Sequence, residues 1–130
     1  MIDRIATVCI FVKDQDRALK FYTQTLGFEL RRDDPLYPGA TARWVAVAPN
    51  GATTEAILYL PDENWAHYQQ VVGQSQAMTF NVVDMDALYA DLSAKGVLFV
   101  QKPDRQPWGT YATIEDSEGN RLILVEPPGR

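Results

Sequence analysis

Few residues in this sequence are equipped for chemistry, and their spacing narrows what they can do. Cys9 and His67 are the single cysteine and the single histidine. A reactive thiolate needs a base or a cation beside it, but Cys9 falls in an early strand and His67 in NWAHYQQ, between two periodic regions. We therefore read Cys9 as a buried, inert thiol and His67 as an exposed or aromatic-packed residue rather than a base. One cysteine forbids an intramolecular disulfide, and one histidine excludes His-rich metal sites. Asp84 and Asp86 resemble a carboxylate pair for acid–base work, yet they sit where a strand hands over to a helix. Capping, and attraction to the positive end of the helix dipole, is their expected role. Arg31-Arg32-Asp33-Asp34 reads as a solvated strand end, where an arginine is available to an anionic ligand.

The elements that must position these residues come in two copies. In the first, Ile5–Val12 alternates between an apolar face (Ala6, Val8, Ile10, Val12) and a mixed one (Thr7, Cys9, Phe11), the pattern of a strand. Asp14 caps a helix from Gln15, with Ala18, Phe21, Tyr22 and Leu26 at helical spacing and Gly27 as its end. Strands are expected over 28–32, 42–48 and 55–60, with Asn50-Gly51 joining the last two. Val12, Asp14 and Asp16 recur as Val82, Asp84 and Asp86, 70 residues on. The second copy then follows as a strand over 78–82, a helix over 85–95 ending at Gly96, and strands over 98–101, 111–115 and 122–125. The prediction is an α+β fold of two tandem β-α-β-β-β modules, with curved mixed sheets around a shared cleft. Module one covers 1–61, the linker 62–75 and module two 76–130, all within a single domain.

Composition limits the partners. Of the 130 residues 46% are hydrophobic, which argues against disorder and fits one small folded domain. Seventeen acidic residues against twelve basic ones give a net charge of -5, and no Lys/Arg cluster extends beyond Arg31-Arg32, so no electrostatic footprint for nucleic acid is present. No run of 18 apolar residues occurs and the start, MIDRIATV, carries charges, so we expect no membrane association and a cytoplasmic location.

The opening VCIFVKDQDRALKFYTQTLGFEL, the later NVVDMDALYADLSAKGV, the PWGTY segment and the closing IEDSEGNRLILVEPP resemble the vicinal oxygen chelate superfamily. That group includes glyoxalase I, extradiol dioxygenases, fosfomycin resistance enzymes and bleomycin resistance proteins, so the resemblance speaks for a fold more than for one activity. For the superfamily's metalloenzymes it implies a divalent ion held by residues of the first and last strands of each module. Carried over by motif, those positions are Thr7, Tyr59, Ala77 and Ile123. None is His, Asp, Glu or Cys, so the usual metal centre is expected to be absent, with no metal and no cofactor. Glu55 and Glu115 share the cleft-facing parity but lie near strand ends, where a structural or solvated role is expected.

By alternation, Thr7, Cys9, Phe11, Ile57, Tyr59, Thr79, Asn81, Tyr111, Thr113, Arg121 and Ile123 face the cleft, together with Ala77 and Val125. Aromatic walls with scattered hydroxyls and an amide suit an organic molecule carrying a few hydrogen-bonding groups. Tyr37, Trp65 and Trp108 fall in loops placed to close over the mouth, or are simply exposed. The expected function is metal-independent binding of a small organic molecule, in the manner of the bleomycin resistance branch. The alternatives are a glyoxalase-like lyase or dioxygenase with an unrecognised metal site, and an interaction module with a vestigial cleft. By resemblance, the chain is expected to form a homodimer.

Overall fold

Both helices begin as the capping residues require. Asp14 accepts from the Arg17 N–H at 2.9 Å and Asp84 from the Ala87 N–H at 3.1 Å, each in extended backbone just before the first helical turn. The computed structural model describes residues 1–61, 66–74 and 77–129. Trp65 and most of the first half of the expected linker therefore lie outside the described residues. The chain divides into two units, 1–73 and 74–130.

In the first unit β1 (Thr7–Phe11) leads to α1 (Gln15–Lys20), then to β2 (Glu29–Pro35), β3 (Arg43–Ala48), β4 (Glu55–Tyr59) and the single turn α2 (Ala66–Gln69). The sheet order is β1-β4-β3-β2, with β1 and β4 parallel and the other pairs antiparallel. In the second unit β5 (Thr79–Asn81), α3 (Met85–Ala94), β6 (Phe99–Gln106), β7 (Gly109–Glu115) and β8 (Arg121–Glu126) repeat the plan as β5-β8-β7-β6. Two four-stranded mixed sheets, each with one crossover helix, are thus the tandem modules that the sequence predicts. No helix among the described residues is long and apolar enough to cross a membrane.

The alternation places the core. Ile10, Val12, Val45, Val47, Leu58 and the helical Ala18 and Tyr22 are fully buried in the first unit. Met85, Leu92, Ile114 and Leu122 do the same in the second.

Three boundaries differ from the expectation. The first helix does not run unbroken to Leu26: after Lys20 it widens into a π-helical stretch, Phe21–Thr25. The cause is one extra residue. Asp14 to Gly27 spans 13 positions and Asp84 to Gly96 only 12, and the wider turn absorbs the surplus. The capping bonds record it, since Phe28 N–H reaches back to Tyr22 O whereas Val97 N–H reaches Leu92 O. Both helices still end at a glycine with positive φ, 79° at Gly27 and 81° at Gly96.

β2 runs past Arg32 to Pro35, and β6 runs past Gln101 to Gln106. Both are edge strands, where a proline and a bulge are tolerated. Each carries an extra residue at the same place in its module, Arg31 in one and Val100 in the other. A second irregularity in β6, between Gln101 and Asp104, accommodates Pro103.

Candidate functional site

The ladders decide which candidate residues are neighbours. In the first unit Thr7 lies opposite Glu55, Cys9 opposite Ile57 and Phe11 opposite Tyr59, while Ile57 is also opposite Ala46. In the second unit Thr79, Ile123 and Thr113 form one row across three strands, and Asn81, Val125 and Tyr111 form the next. Arg121 is opposite Glu115. The predicted residues thus share one face of their own sheet, the face turned away from the positions of Ile10, Val12, Leu58 and Val45.

The same ladders correct one equivalence. Motif matching pairs Tyr59 with Ile123, but the residue opposite Cys9 is Ile57 and the residue opposite Thr79, 70 positions after Cys9, is Ile123. Ile57 and Ile123 are therefore counterparts, as are Tyr59 and Val125. The connections after each helix differ in length between the modules, so a motif offset drifts while a hydrogen-bonded register does not.

The first unit's face is aromatic. Phe11 meets Tyr59 edge-on at a ring separation of 6.1 Å and is stacked by Tyr68 at 4.5 Å and 14°. His67 packs its ring on Tyr68 at 3.8 Å and is exposed, as expected of an aromatic-packed linker residue. Cys9 is exposed, not buried as expected, because its strand face is not covered as the opposite one is; partial desolvation still pushes the thiol pKa up. No activation of Cys9 is visible in this direction of shift. Ile57 is fully buried, so it is a wall of the face rather than a contact surface.

The second unit's face is more polar. Asn81 and Thr79 are exposed, Tyr111 and Thr113 half-buried. Trp108, 54% exposed, leans on Tyr111 at 5.3 Å. Trp108 is delivered by a tight two-residue connection closed by Gly109, where φ is 137° and a Cβ would lie 2.5 Å from the Glu126 carbonyl oxygen. Tyr37, by contrast, lies exposed in the longer connection between β2 and β3.

The charged candidates are engaged within the chain. Arg31 donates to Glu29, to Glu55 at 3.4 Å and to the Ala52 carbonyl at 2.9 Å. Arg32 pairs with Asp34 at 2.7 Å. Asp33 and Asp16 both accept from Arg43, at 2.8 and 2.7 Å, and these bonds, Asp33 first, hold its guanidinium above its usual range. The stretch from Arg31 to Asp34 is therefore a set of ion pairs within the sheet rather than an anion site.

The positions that the superfamily's metalloenzymes would use do not fit a divalent ion. Thr7 and Tyr59 offer only a hydroxyl each, Ala77 and Ile123 offer no ligand atom, and the neighbouring Glu55 carboxylate is shared with Arg31. Among the described residues no group of three or more His, Cys, Asp and Glu is gathered closely enough to hold a metal ion.

Sequence reasoning missed Tyr68 and the ion pairs of Arg31. The signal for Tyr68 was its place beside His67 in NWAHYQQ, but nothing local says which strand residue it will meet.

The fold is that of a small protein built from two tandem β-α-β-β-β modules. The chain belongs to the glyoxalase/bleomycin resistance protein/dioxygenase superfamily, whose family model matches residues 2–124. It is 33% identical over 126 residues to an uncharacterized Bacillus subtilis (strain 168) protein, YetH, covering 97% of this chain and 100% of that one. Among solved structures it resembles TnmS3, an antibiotic binding protein from Streptomyces sp. CB03234, at 32% identity, with 98% of each chain covered and a TM-score of 0.84. It likewise resembles a superfamily member from Sphaerobacter thermophilus DSM 20745, at 34% identity, 96% and 98% coverage and a TM-score of 0.81.

Proposed function

We propose that this protein binds a small organic molecule, without a metal ion, on the second faces of its sheets. The observation that carries this reading is the grouping, by ladder register, of rings with small polar groups: Phe11 and Tyr59 in one unit, Tyr111 with Asn81, Thr79 and Thr113 in the other. Apolar ring area supplies affinity, while hydroxyls and an amide orient the ligand. Cys9, Thr7 and Ile123 extend the same faces, and Arg121 lies at the end of β8. The likeness to TnmS3 supports an organic ligand, and the poor ligand set at the metal positions supports metal independence.

The test is thermal unfolding against a panel of small organic compounds and divalent metals, each with and without a chelator. A ligand at about 100 times its Kd adds about 2.7 kcal/mol to folding stability and raises the midpoint. The expected outcome is a rise with an organic compound that a chelator leaves intact and that Phe11→Ala or Asn81→Ala reduces. A rise only with a metal, abolished by the chelator, would overturn the reading. We further propose a homodimer of two-module domains, checked by light scattering on the eluting protein, where a monomer mass would refute it.

A further inference from the structure

One corner of the candidate face is built differently in the two units. In the first it consists of Glu29, Arg31 and Glu55, and it is closed on itself. Arg31 donates to both carboxylates and to the Ala52 and Pro49 carbonyls, at 2.9 and 3.3 Å. In the second unit the corresponding positions are Leu98, Val100 and Arg121. Leu98 lies two residues after the helix-ending glycine, as Glu29 does, and Val100 is the extra residue of its strand, as Arg31 is. Arg121 stands two residues before Ile123, as Glu55 stands before Ile57. A cation between two anions has become a pair of apolar side chains and one cation.

The exchange opens the corner. Leu98 is 58% and Val100 41% exposed, so neighbouring apolar area is left in water. Arg121 is exposed, and although Glu115 stands opposite it in the β7 to β8 ladder, no ion pair joins the two among the described residues. Half-buried Thr113 and Ile123 form the next row of the same face. From β6 to β8 the corner is about 10 Å wide. Glu115 gives it a direction: it sits beside Leu98, whose carbonyl accepts the Glu115 N–H, and its carboxylate repels an anion from the β6 end.

We propose that Leu98, Val100 and Arg121 form a subsite for an amphipathic anion, whose apolar part covers Leu98 and Val100 and whose anionic group meets the Arg121 guanidinium. The inference rests on the binding function proposed above and names its ligand class and the sheet that takes it. Apolar contact supplies affinity without regard to charge, whereas the guanidinium, with its fork of N–H donors, discriminates an anion from a neutral molecule of the same shape.

The experiment titrates two fluorescent probes that share one ring system. 8-Anilinonaphthalene-1-sulfonate carries the anion, and N-phenyl-1-naphthylamine lacks it. Both are added to the wild type, to Arg121→Gln, to Lys102→Gln, which removes the same charge elsewhere on β6, and to the triple variant Leu98→Glu, Val100→Arg, Arg121→Glu, which copies the first unit's closed corner into the second. The wild type should bind the sulfonate about three- to tenfold more tightly than the neutral probe. Arg121→Gln should erase that preference and leave the neutral probe unchanged, Lys102→Gln should behave as wild type, and the triple variant should lose both probes.

An undiminished preference in Arg121→Gln, an equal loss in Lys102→Gln, or binding of neither probe by the wild type would overturn the proposal. Should the triple variant not fold, the comparison of Arg121→Gln with Lys102→Gln decides alone. The wider binding function is judged separately, by the thermal panel with Phe11→Ala and Asn81→Ala, so an organic ligand found there without any anion preference at Arg121 removes this subsite and leaves that function standing.

Discussion

The two modules solve one structural problem with opposite chemistry. Each must fasten the first turn of its crossover helix to the end of its last strand. In the first, Gln15 does this from the helix: its side-chain N–H groups donate to Leu58 O and Arg43 O, both at 2.8 Å, and its Oε1 accepts from Arg43 N–H at 3.1 Å. In the second, the counterpart of Gln15 is Met85, 98% buried and apolar, and the fastening comes from the strand. There the Glu126 carboxylate accepts the Met85 N–H at 2.7 Å. The counterpart of Glu126 in the first module, on the spacing that relates Ile57 to Ile123, is Leu60. A polar helix residue with an apolar strand end has become an apolar helix residue with a polar strand end. In both modules one polar side chain bridges helix and sheet, but the donor it satisfies differs, the Arg43 N–H of the sheet in the first and the Met85 N–H of the helix in the second.

The modules also part at the turn before the last strand. The first uses Pro49–Ala52, closed by the Ala52 N–H to Pro49 O bond and a glycine at a φ of 80°. The second folds its turn around a buried carboxylate. Asp116 Oδ1 accepts from Glu118 N–H and Asn120 N–H, at 2.8 and 2.9 Å, and Oδ2 accepts from the fully buried Asn120 side chain at 3.0 Å. The strongest test of the asymmetry is therefore Asp116→Ala. It strands a buried amide and two backbone donors, and should cost about 3 kcal/mol in denaturant unfolding. No single side chain in the first module's turn has that leverage.

Next in size is the exchange of the two fastenings. Gln15→Met gives the first module the second's helix residue without its acceptor, leaves the Arg43 N–H unpaired, and should cost about 2 kcal/mol. Adding Leu60→Glu should recover about 1 kcal/mol if the two solutions are interchangeable. No recovery in that double variant would show that the modules have diverged too far in backbone to trade them.

The smallest effect separates Cys9 from Thr79, its counterpart 70 residues on. Partial burial raises the Cys9 thiol pKa, so the folded chain holds that proton more tightly than the unfolded one. The resulting stability is present below the ordinary thiol range and is lost as pH rises through the raised folded value. Against a Cys9→Thr variant, the wild-type melting temperature should drop slightly as pH climbs through that window. An equal response in both proteins would remove the thiol as its cause. Iodoacetamide should likewise react slowly at neutral pH and faster only above the usual thiol range.

Much of the fold was legible because its signals are local. Alternation along Ile5–Val12 separated the two faces of β1, the aspartates at 14 and 84 announced the helix starts, and glycines at 27 and 96 announced their ends. The boundaries that moved have equally specific reasons. A one-residue surplus in the first helix was absorbed by widening its hydrogen-bond pattern into a π-helical stretch, and Pro103 sat harmlessly at an irregular edge.

The candidate site was legible only as two sets of residues on faces. The repeat spacing and the period of two determined by themselves that Phe11, Cys9, Thr79 and Asn81 belong to the side away from the core, whereas the metal positions, with their poor ligands, came only from the family resemblance. Three things waited for the tertiary structure. The ladders showed that Ile57, not Tyr59, is the counterpart of Ile123. The ion pairs showed that Arg31 and Arg32 are engaged within the chain. The stacking of Tyr68 on Phe11 joined residues 57 positions apart. Face and capping follow from the geometry of neighbouring residues, whereas register and packing partners follow from which distant strands and turns the folded chain brings together.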